Sequence, residues 1–425
     1  MKKMKTLGVM AALIALTPAM SSARYVQTAD SAHIYNAMRE NAPGQMKYKD
    51  VPRFTLVGKD SKFYLGFGAN IKFVADFDWG NPIDNADEFT TADIPFDVAN
   101  GNHGKTQMSV GQSNFYLNFV GLPGTNNQLG IFLDINFMGE TSKTVALHHA
   151  YLKYRGITAG YVVSTFTDLG ADPASIDFAG PNAITFVRHP NISYTYKFGK
   201  EKLWSAAIGL DLPDRASFTY TSTTKEVNQR IPDIPIYIQR AWAGGNGWFR
   251  ASAIFRTLQY RNTTIRYANP DKPNGRNESV LGWGVKASGK TPIIGGLSAM
   301  WQGVFGQGVS SYIHDLAGLG LDLCGARESG KMRTIQSWGA YGTLRYDFSK
   351  RLFCDVTYSH VRAYMPKNYV YNTTYKYGQY VTGNLFWNIN SFTQFGVEYL
   401  WGRRVNFYQK QAHDNRVMLM LSLSI

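Results

Sequence analysis

Residues 63–79 read FYLGFGANIKFVADFDW, and apolar and polar positions alternate along the whole stretch. Phe63, Leu65, Phe67, Ile71, Phe73, Phe77 and Trp79 fall on odd positions, and Asn70, Lys72, Asp76 and Asp78 on even ones. A period of two marks a strand, because successive side chains point to opposite faces. The run is about three times the usual strand length of a soluble domain. So long an apolar face needs an equally long core, or lipid. A strand that crosses a bilayer needs about 9–11 residues and must belong to a closed barrel, since hydrocarbon cannot satisfy an open sheet edge.

The rest of the chain supplies enough strands to close one. The alternation predicts strands near 63–79, 107–120, 128–138, 145–155, 157–167, 191–199, 203–212, 235–243, 248–258, 280–289, 297–307, 334–348, 352–363, 376–389, 392–404 and 413–425. That count of sixteen is even, as bacterial barrels require. Every second connection is a short turn built from residues that suit turns: Gly121–Gly124 with Asn126-Asn127, Gly156, Gly199–Glu201, Gly244–Gly247, Gly295-Gly296, Ser349-Lys350 and Asn390-Ser391. The other connections run longer, notably 80–106, 168–190, 213–234, 259–279, 308–333 and 364–375. The expected fold is therefore all-β, a transmembrane antiparallel barrel of about sixteen strands with long extracellular loops. A barrel of that size encloses water. The final stretch, with Val417, Leu419, Leu421, Leu423 and Ile425 in alternation, resembles the signal read by barrel-assembly machinery.

Composition agrees. Only 17% of the 425 residues are charged, against about 25% in an average soluble chain. No run of 18 apolar residues occurs past the N-terminal segment, so no helical span is expected. Residues 1–23 read as a secretory signal peptide: Lys2, Lys3 and Lys5, an apolar stretch from Thr6 to Met20, then small residues, with cleavage after Ala23. Residues 24–60 read as a short periplasmic segment with room for one brief helix near 31–41, and 61–425 as the barrel domain. The formal charge is +14, and +11 without the three signal lysines. A basic exported chain can bind small anions or lipopolysaccharide. Nucleic acid is not expected, because the aromatics alternate along strands instead of clustering with basic residues. Cys324 and Cys354, one in a loop and one in a strand, are expected to remain unpaired.

The apolar register also fixes which side chains face the interior. A charged Arg or Lys on the lipid face costs about 2–4 kcal/mol at mid-bilayer. Lys72, Asp76, Asp134, Lys197, Asp211, Arg250, Arg256, Lys286, Arg345, Glu398 and Arg404 all stand opposite apolar neighbours, which predicts them as pore-lining residues. Arg261, Arg266, Lys272, Arg276, Arg327, Lys331 and Arg333 crowd into loops and suggest a basic vestibule. The segment 168–191 carries Asp168, Asp172, Asp177 and Arg188 among the apolar anchors Ile176, Phe178, Ile184 and Phe186. That composition suits a constriction loop folded into the lumen.

The stretch GYVVSTFTDLGADPASIDFAGPN (160–182) resembles DcaP-like outer-membrane porins, which carry G-x-x-x-S-T-F-x-D followed by P-x-x-I-D-F-x-G-P. Gly160, Ser164, Thr165, Phe166, Asp168, Pro173, Ile176, Asp177, Phe178, Gly180 and Pro181 carry the match. LGIFLDINF around Asp134, HHAYLKY (148–154), Arg188 and IPDI (231–234) extend it. The resemblance implies a homotrimeric sixteen-stranded porin for small anionic solutes such as dicarboxylates, without a cofactor. The family's arginines on the fourth strand are replaced here by Ala146 and His148.

Other functions find less support. A barrel hydrolase would need a nucleophile, a base and an orienting group together; Ser164 and His149 lack the third, and no catalytic residue is assigned. An adhesive, sealed barrel would show no conductance. No metal site is expected: His148 and His149 are adjacent on a strand and should point to opposite faces, with no carboxylate or cysteine at ligand spacing.

Overall fold

The computed structural model describes residues 31–43, 52, 54–139, 144–267, 274–325, 329–365 and 374–425. The expected signal peptide, residues 1–23, lies outside these residues. In chain order the elements are helix α1 (Ser31–Asn41), then β1 (Phe54–Val57), β2 (Phe63–Gly80), β3 (Gly104–Ser109), β4 (Asn114–Gly121), β5 (Leu129–Asn136), β6 (Ala146–Tyr154) and β7 (Ile157–Val163). They continue with β8 (Arg188–Phe198), β9 (Trp204–Asp211), β10 (Phe218–Thr219), β11 (Thr224–Lys225), β12 (Ile234–Trp242), β13 (Gly247–Asn262), β14 (Arg276–Pro292) and β15 (Leu297–Gln307). The last are β16 (Leu323–Gly325), β17 (Met332–Thr334), β18 (Gln336–Asp347), β19 (Leu352–Tyr364), β20 (Tyr375–Asn388), β21 (Thr393–Asn406) and β22 (Gln411–Ser424).

Short strands β10, β16 and β17 form a separate patch, and β1 and β11 extend edges of the main sheet. The rest make a closed antiparallel wall of sixteen spanning strands, because β3 and β4 are two halves of one. Closure joins β2 to β22, from Asn70 opposite Ser424 to Gly80 opposite Asp414. Below that seam β1 takes over the free edge of β2, with Phe54 opposite Phe67. Period-two alternation holds around the wall. Phe73, Phe77, Ile192, Leu281, Val356 and Leu419 are exposed on the outside, where a bilayer would cover them.

The second spanning strand is interrupted at 110–113. There the Lys72 amide donates to Ser113 Oγ at 2.9 Å instead of to a backbone carbonyl. Gly111 makes room for this: a Cβ on it would stand 2.6 Å from Asp87 Oδ2, which belongs to the loop packed inside.

Helix α1 falls where a brief helix is predicted, but it packs inside the barrel wall. Its Ala37 and Met38 pack on Tyr64 and Val120, both inward-facing. Asn41 Nδ2 donates to Asn118 Oδ1 (2.7 Å), Asn118 Nδ2 donates to the Met38 carbonyl (2.8 Å), and Tyr151 Oη donates to the Asn41 carbonyl (2.6 Å). The segment therefore occupies the short-turn end of the lumen. Among the described residues Cys324 is buried, Cys354 is half-buried, and both are unpaired.

Candidate functional site: the lumen and its inward loops

Three connections fold into the barrel: 81–103, 164–187 and 308–335. They meet at Asp315. Thr91 Oγ1 and Tyr375 Oη donate to its carboxylate, as does the Ala92 amide at 3.2 Å. The Asp315 amide in turn donates to the Asn182 carbonyl (3.2 Å), and Asn182 is held by Ser359 Oγ on β19 (2.6 Å). The shared apolar core includes Phe166, Ala183, Val187, Val309, Tyr312, Ile313 and Leu316. The segment 309–325 is thus largely buried. Buried apolar residues such as Val309, Ile313 and Leu316 alternate with small polar ones and carry it inward. Arg261, Arg266, Arg276, Lys331 and Arg333 do lie at the long-loop end, half-buried or exposed, while Lys272 and Arg327 lie outside the described residues.

The predicted pore-lining residues face inward as the register requires, but the inward loops cover most of them. Arg256 is 1% exposed. Its guanidinium bonds Asp233 Oδ2 (2.9 Å), Asp322 Oδ1 (3.0 Å) and the Gly308 carbonyl (2.7 Å). Lys286 is buried over the Phe166 ring and donates to Thr185 Oγ1 at 3.2 Å. Arg250 donates to Gln239 Oε1 (2.8 Å) and the Thr167 carbonyl (3.0 Å). These three predicted pore-lining cations therefore anchor the loop rather than form a wetted wall. Asp211 accepts from Ser164 Oγ (2.5 Å), and Glu398 accepts from Ser175, Ile176 and Asp177. Asp76 is buried within reach of Gln107 Nε2 (3.3 Å) and Arg416, beneath 81–103. Arg404 donates to the Ile94 carbonyl of the same loop (3.2 Å). All of these, with Asp134, are corrected from solvent-lining to loop-facing or buried. An isolated inward charge is costly to leave dry, so each has recruited loop donors or a counter-charge.

The expected constriction loop 168–190 does fold inward. Asp168 accepts from Ser288 Oγ (2.7 Å) and Trp248 Nε1 (3.1 Å). Burial pushes this carboxyl up, but Arg250 and Lys286 outweigh that and hold it below its ordinary value. Asp177 accepts from the Phe89 amide (2.9 Å), the Ala179 amide (3.0 Å) and Tyr380 Oη (3.0 Å). Burial, aided by the Glu398 charge, pushes the Asp177 carboxyl well above its ordinary value. Both are loop fasteners. Asp172, half-buried, accepts from Tyr341 Oη at 3.2 Å, and half-buried Arg188 stacks over Phe186.

Between this loop and the short turns lies an open cavity of about 920 Å³. Lys72, Lys290, Arg345 and Lys350 line it together with Glu88, Asp172, Asp177 and Asp347, and with the amides of Gln112, Asn114 and Asn136. Lys72 and Arg345 were expected; Lys290 and Lys350 were missed. Lys290 shares the inward register of Lys286, so the same alternation marks it. Lys197 is exposed near the short-turn rim.

His148 also lines the cavity, which corrects the expectation for the histidine pair. In the β5–β6 ladder Asp134 pairs with His149, while Ile135 pairs with Leu147. His148 is thus the extra residue of a bulge, and a bulge breaks the alternation. Both imidazoles turn inward. His148 Nδ1 lies 2.5 Å and His149 Nδ1 lies 3.3 Å from Asp134 Oδ2. Ser164 Oγ donates to Asp211 and not to either histidine, so the three do not form a hydrolytic arrangement.

A closed sixteen-stranded barrel, a lipid-facing apolar band, inward loops and a polar cavity define a porin. The chain belongs to the porin family: the profile described as "Porin subfamily" matches residues 85–415. It is an outer-membrane channel, not an enzyme. Its fold is that of the outer membrane channel DcaP of Acinetobacter baumannii (TM-score 0.72, 18% identity, 87% of this chain and 99% of that one), so the expected DcaP-like architecture holds. The anion-selective porin from Comamonas acidovorans aligns at TM-score 0.52 and 10% identity, covering 85% of this chain and 99% of that one. OmpT of Vibrio cholerae in its trimer form aligns at TM-score 0.50 and 9% identity, covering 86% and 100%. No curated protein matches the chain in sequence.

Proposed function

We propose that this porin is a water-filled diffusion channel for small hydrophilic solutes, with a preference for anions of the dicarboxylate type. The observation that carries the preference is the lining of the cavity. Of its acidic groups, Asp177 is pushed toward the neutral form by burial and Asp347 is paired with Arg345, which leaves Glu88 and Asp172 against three lysines. Lys72, Lys290 and Lys350 then set the sign of the field that a solute meets. A pore with an anion-selective relative in fold is consistent with this reading.

The chain is exported by a signal peptide cut after Ala23, folded by barrel-assembly machinery and assembled as a homotrimer in the outer membrane of a Gram-negative bacterium. The basic long-loop residues face lipopolysaccharide. The test is reversal potential in planar bilayers under a salt gradient. Each charge contributes about 1 kcal/mol at contact in water, more where low-dielectric walls focus it. The triple variant Lys72→Gln, Lys290→Gln, Lys350→Gln should shift the reversal potential toward cations and slow succinate more than a neutral sugar. Retained anion preference in the folded triple variant would move selectivity to the loops.

A further inference from the structure

Asp134, His148 and His149 converge at the inner wall, and neither the channel function nor the loop architecture uses them. Each offers one donor atom, and the three donors lie within 4.8 Å of one another. They come together because of the bulge in β6: without the extra residue, one imidazole would face lipid. Asn114 Nδ2 donates to the other carboxylate oxygen at 2.8 Å, orienting Asp134. The rings sit nearly perpendicular, 72° apart, with centroids separated by 4.5 Å. Nε2 of both histidines is buried and without a hydrogen-bond partner among the described residues.

The geometry points to a binding site for a divalent transition-metal ion, held by Asp134, His148 and His149 on the wall of the lumen. Two imidazoles and one carboxylate suit Zn²⁺, Ni²⁺ or Cu²⁺, and are too few in oxygen for Mg²⁺ or Ca²⁺. Bonds of about 2.1 Å impose donor separations of about 3 Å, close to the 2.5 and 3.3 Å that separate the two Nδ1 atoms from Asp134 Oδ2. Asn114 then acts as the outer partner that fixes a ligating carboxylate. The approach is from the cavity, whose lining includes His148, Asn114 and Asn136. Arg188 faces both histidines and Asp134 and opposes an incoming cation. That repulsion weakens binding of every divalent ion alike, while the imidazole ligands themselves put Cu²⁺ and Ni²⁺ ahead of Mn²⁺. A bound ion would place positive charge on the wall beside Phe178 of the constriction loop, whose ring lies 5.8 Å from that of His148.

The experiment uses the full mature chain refolded in detergent, titrated with Cu²⁺ and read by electron paramagnetic resonance. The expected result is one saturable site with hyperfine structure from two nitrogens. His148→Asn should reduce this to one nitrogen, and Asp134→Asn should abolish saturable binding. Asn114→Leu should weaken it by about 10–100-fold while keeping both nitrogens. Heat-modifiable migration on gels checks that each variant is folded. If a variant fails to fold, anomalous scattering from a Zn²⁺-soaked crystal of the wild type decides. Density between Asp134 and the two histidines sustains the site. Density only at exposed histidines such as His413, or wild-type binding unchanged in His148→Asn, shows that the trio is a hydrogen-bonded network with no affinity for an ion.

Discussion

Glu398 on β21 is the tether whose removal should be easiest to read. It is fully buried, and its carboxylate accepts from Ser175 Oγ (2.8 Å), the Ile176 amide (3.1 Å), the Asp177 amide (3.0 Å) and Asn384 Nδ2 (2.9 Å). Three of these donors belong to the constriction loop. A hydrogen bond to a charged acceptor contributes about 1.5–3 kcal/mol. Water that enters the vacated space restores part of this. Glu398→Ala should therefore ease local opening by about 2–4 kcal/mol, roughly a 30- to 1000-fold shift in the opening equilibrium. Full release is not expected, because Ala174 stays bound to Asp355 and Asn384, and Asp177 to Tyr380. Hydrogen exchange read by mass spectrometry should show faster exchange across 174–179 with the wall strands unchanged. Single-channel records should show larger mean conductance and more flicker. If exchange over 174–179 stays within a factor of about two of wild type in a folded barrel, the tether argument is wrong.

Two other perturbations follow from the same contacts. Arg256→Met leaves Asp233 and Asp322 buried without their cation, which should cost about 3–5 kcal/mol and lower the thermal transition in detergent; an unchanged transition would mean that the pair is solvated. Removing residues 24–43 clears helix α1 from the short-turn end and should raise conductance without loss of the folded barrel. Equal conductance would place the helix outside the ion path.

Much of this was legible in the sequence. Period-two alternation predicts the sixteen strands, the short turns and the outward faces of residues such as Phe77 and Leu419, because lipid imposes the same demand on every strand. The motif at 160–182 marks the constriction loop. The strand break at 110–113 was not legible, since it depends on Asp87 arriving from another loop. Alternation gives Arg256 and Lys286 an inward direction but says nothing about what covers them. Only the packing of 309–325 against 164–187 decides that. The histidine pair was misread for a narrower reason: strict alternation was assumed, and one extra residue in β6 reverses the side on which His148 lies. The register of helix α1 on Asn118 and Tyr151 likewise depends on contacts about 80 and 110 residues away in sequence, which local pattern does not carry.

The junction at Asp315 also has a mechanical consequence. A wide barrel is a thin hoop, and a hoop yields most easily by flattening into an ellipse. Here Asp315, Thr91, Asn182, Ser359 and Tyr375 tie three inward loops to β19 and β20. Arg256 ties the same loop system to β13 and, through Asp233, to the wall beside it. These ties act as struts across the hoop. Lateral pressure from the bilayer then compresses a braced section, and the bore keeps its cross-section when membrane tension changes.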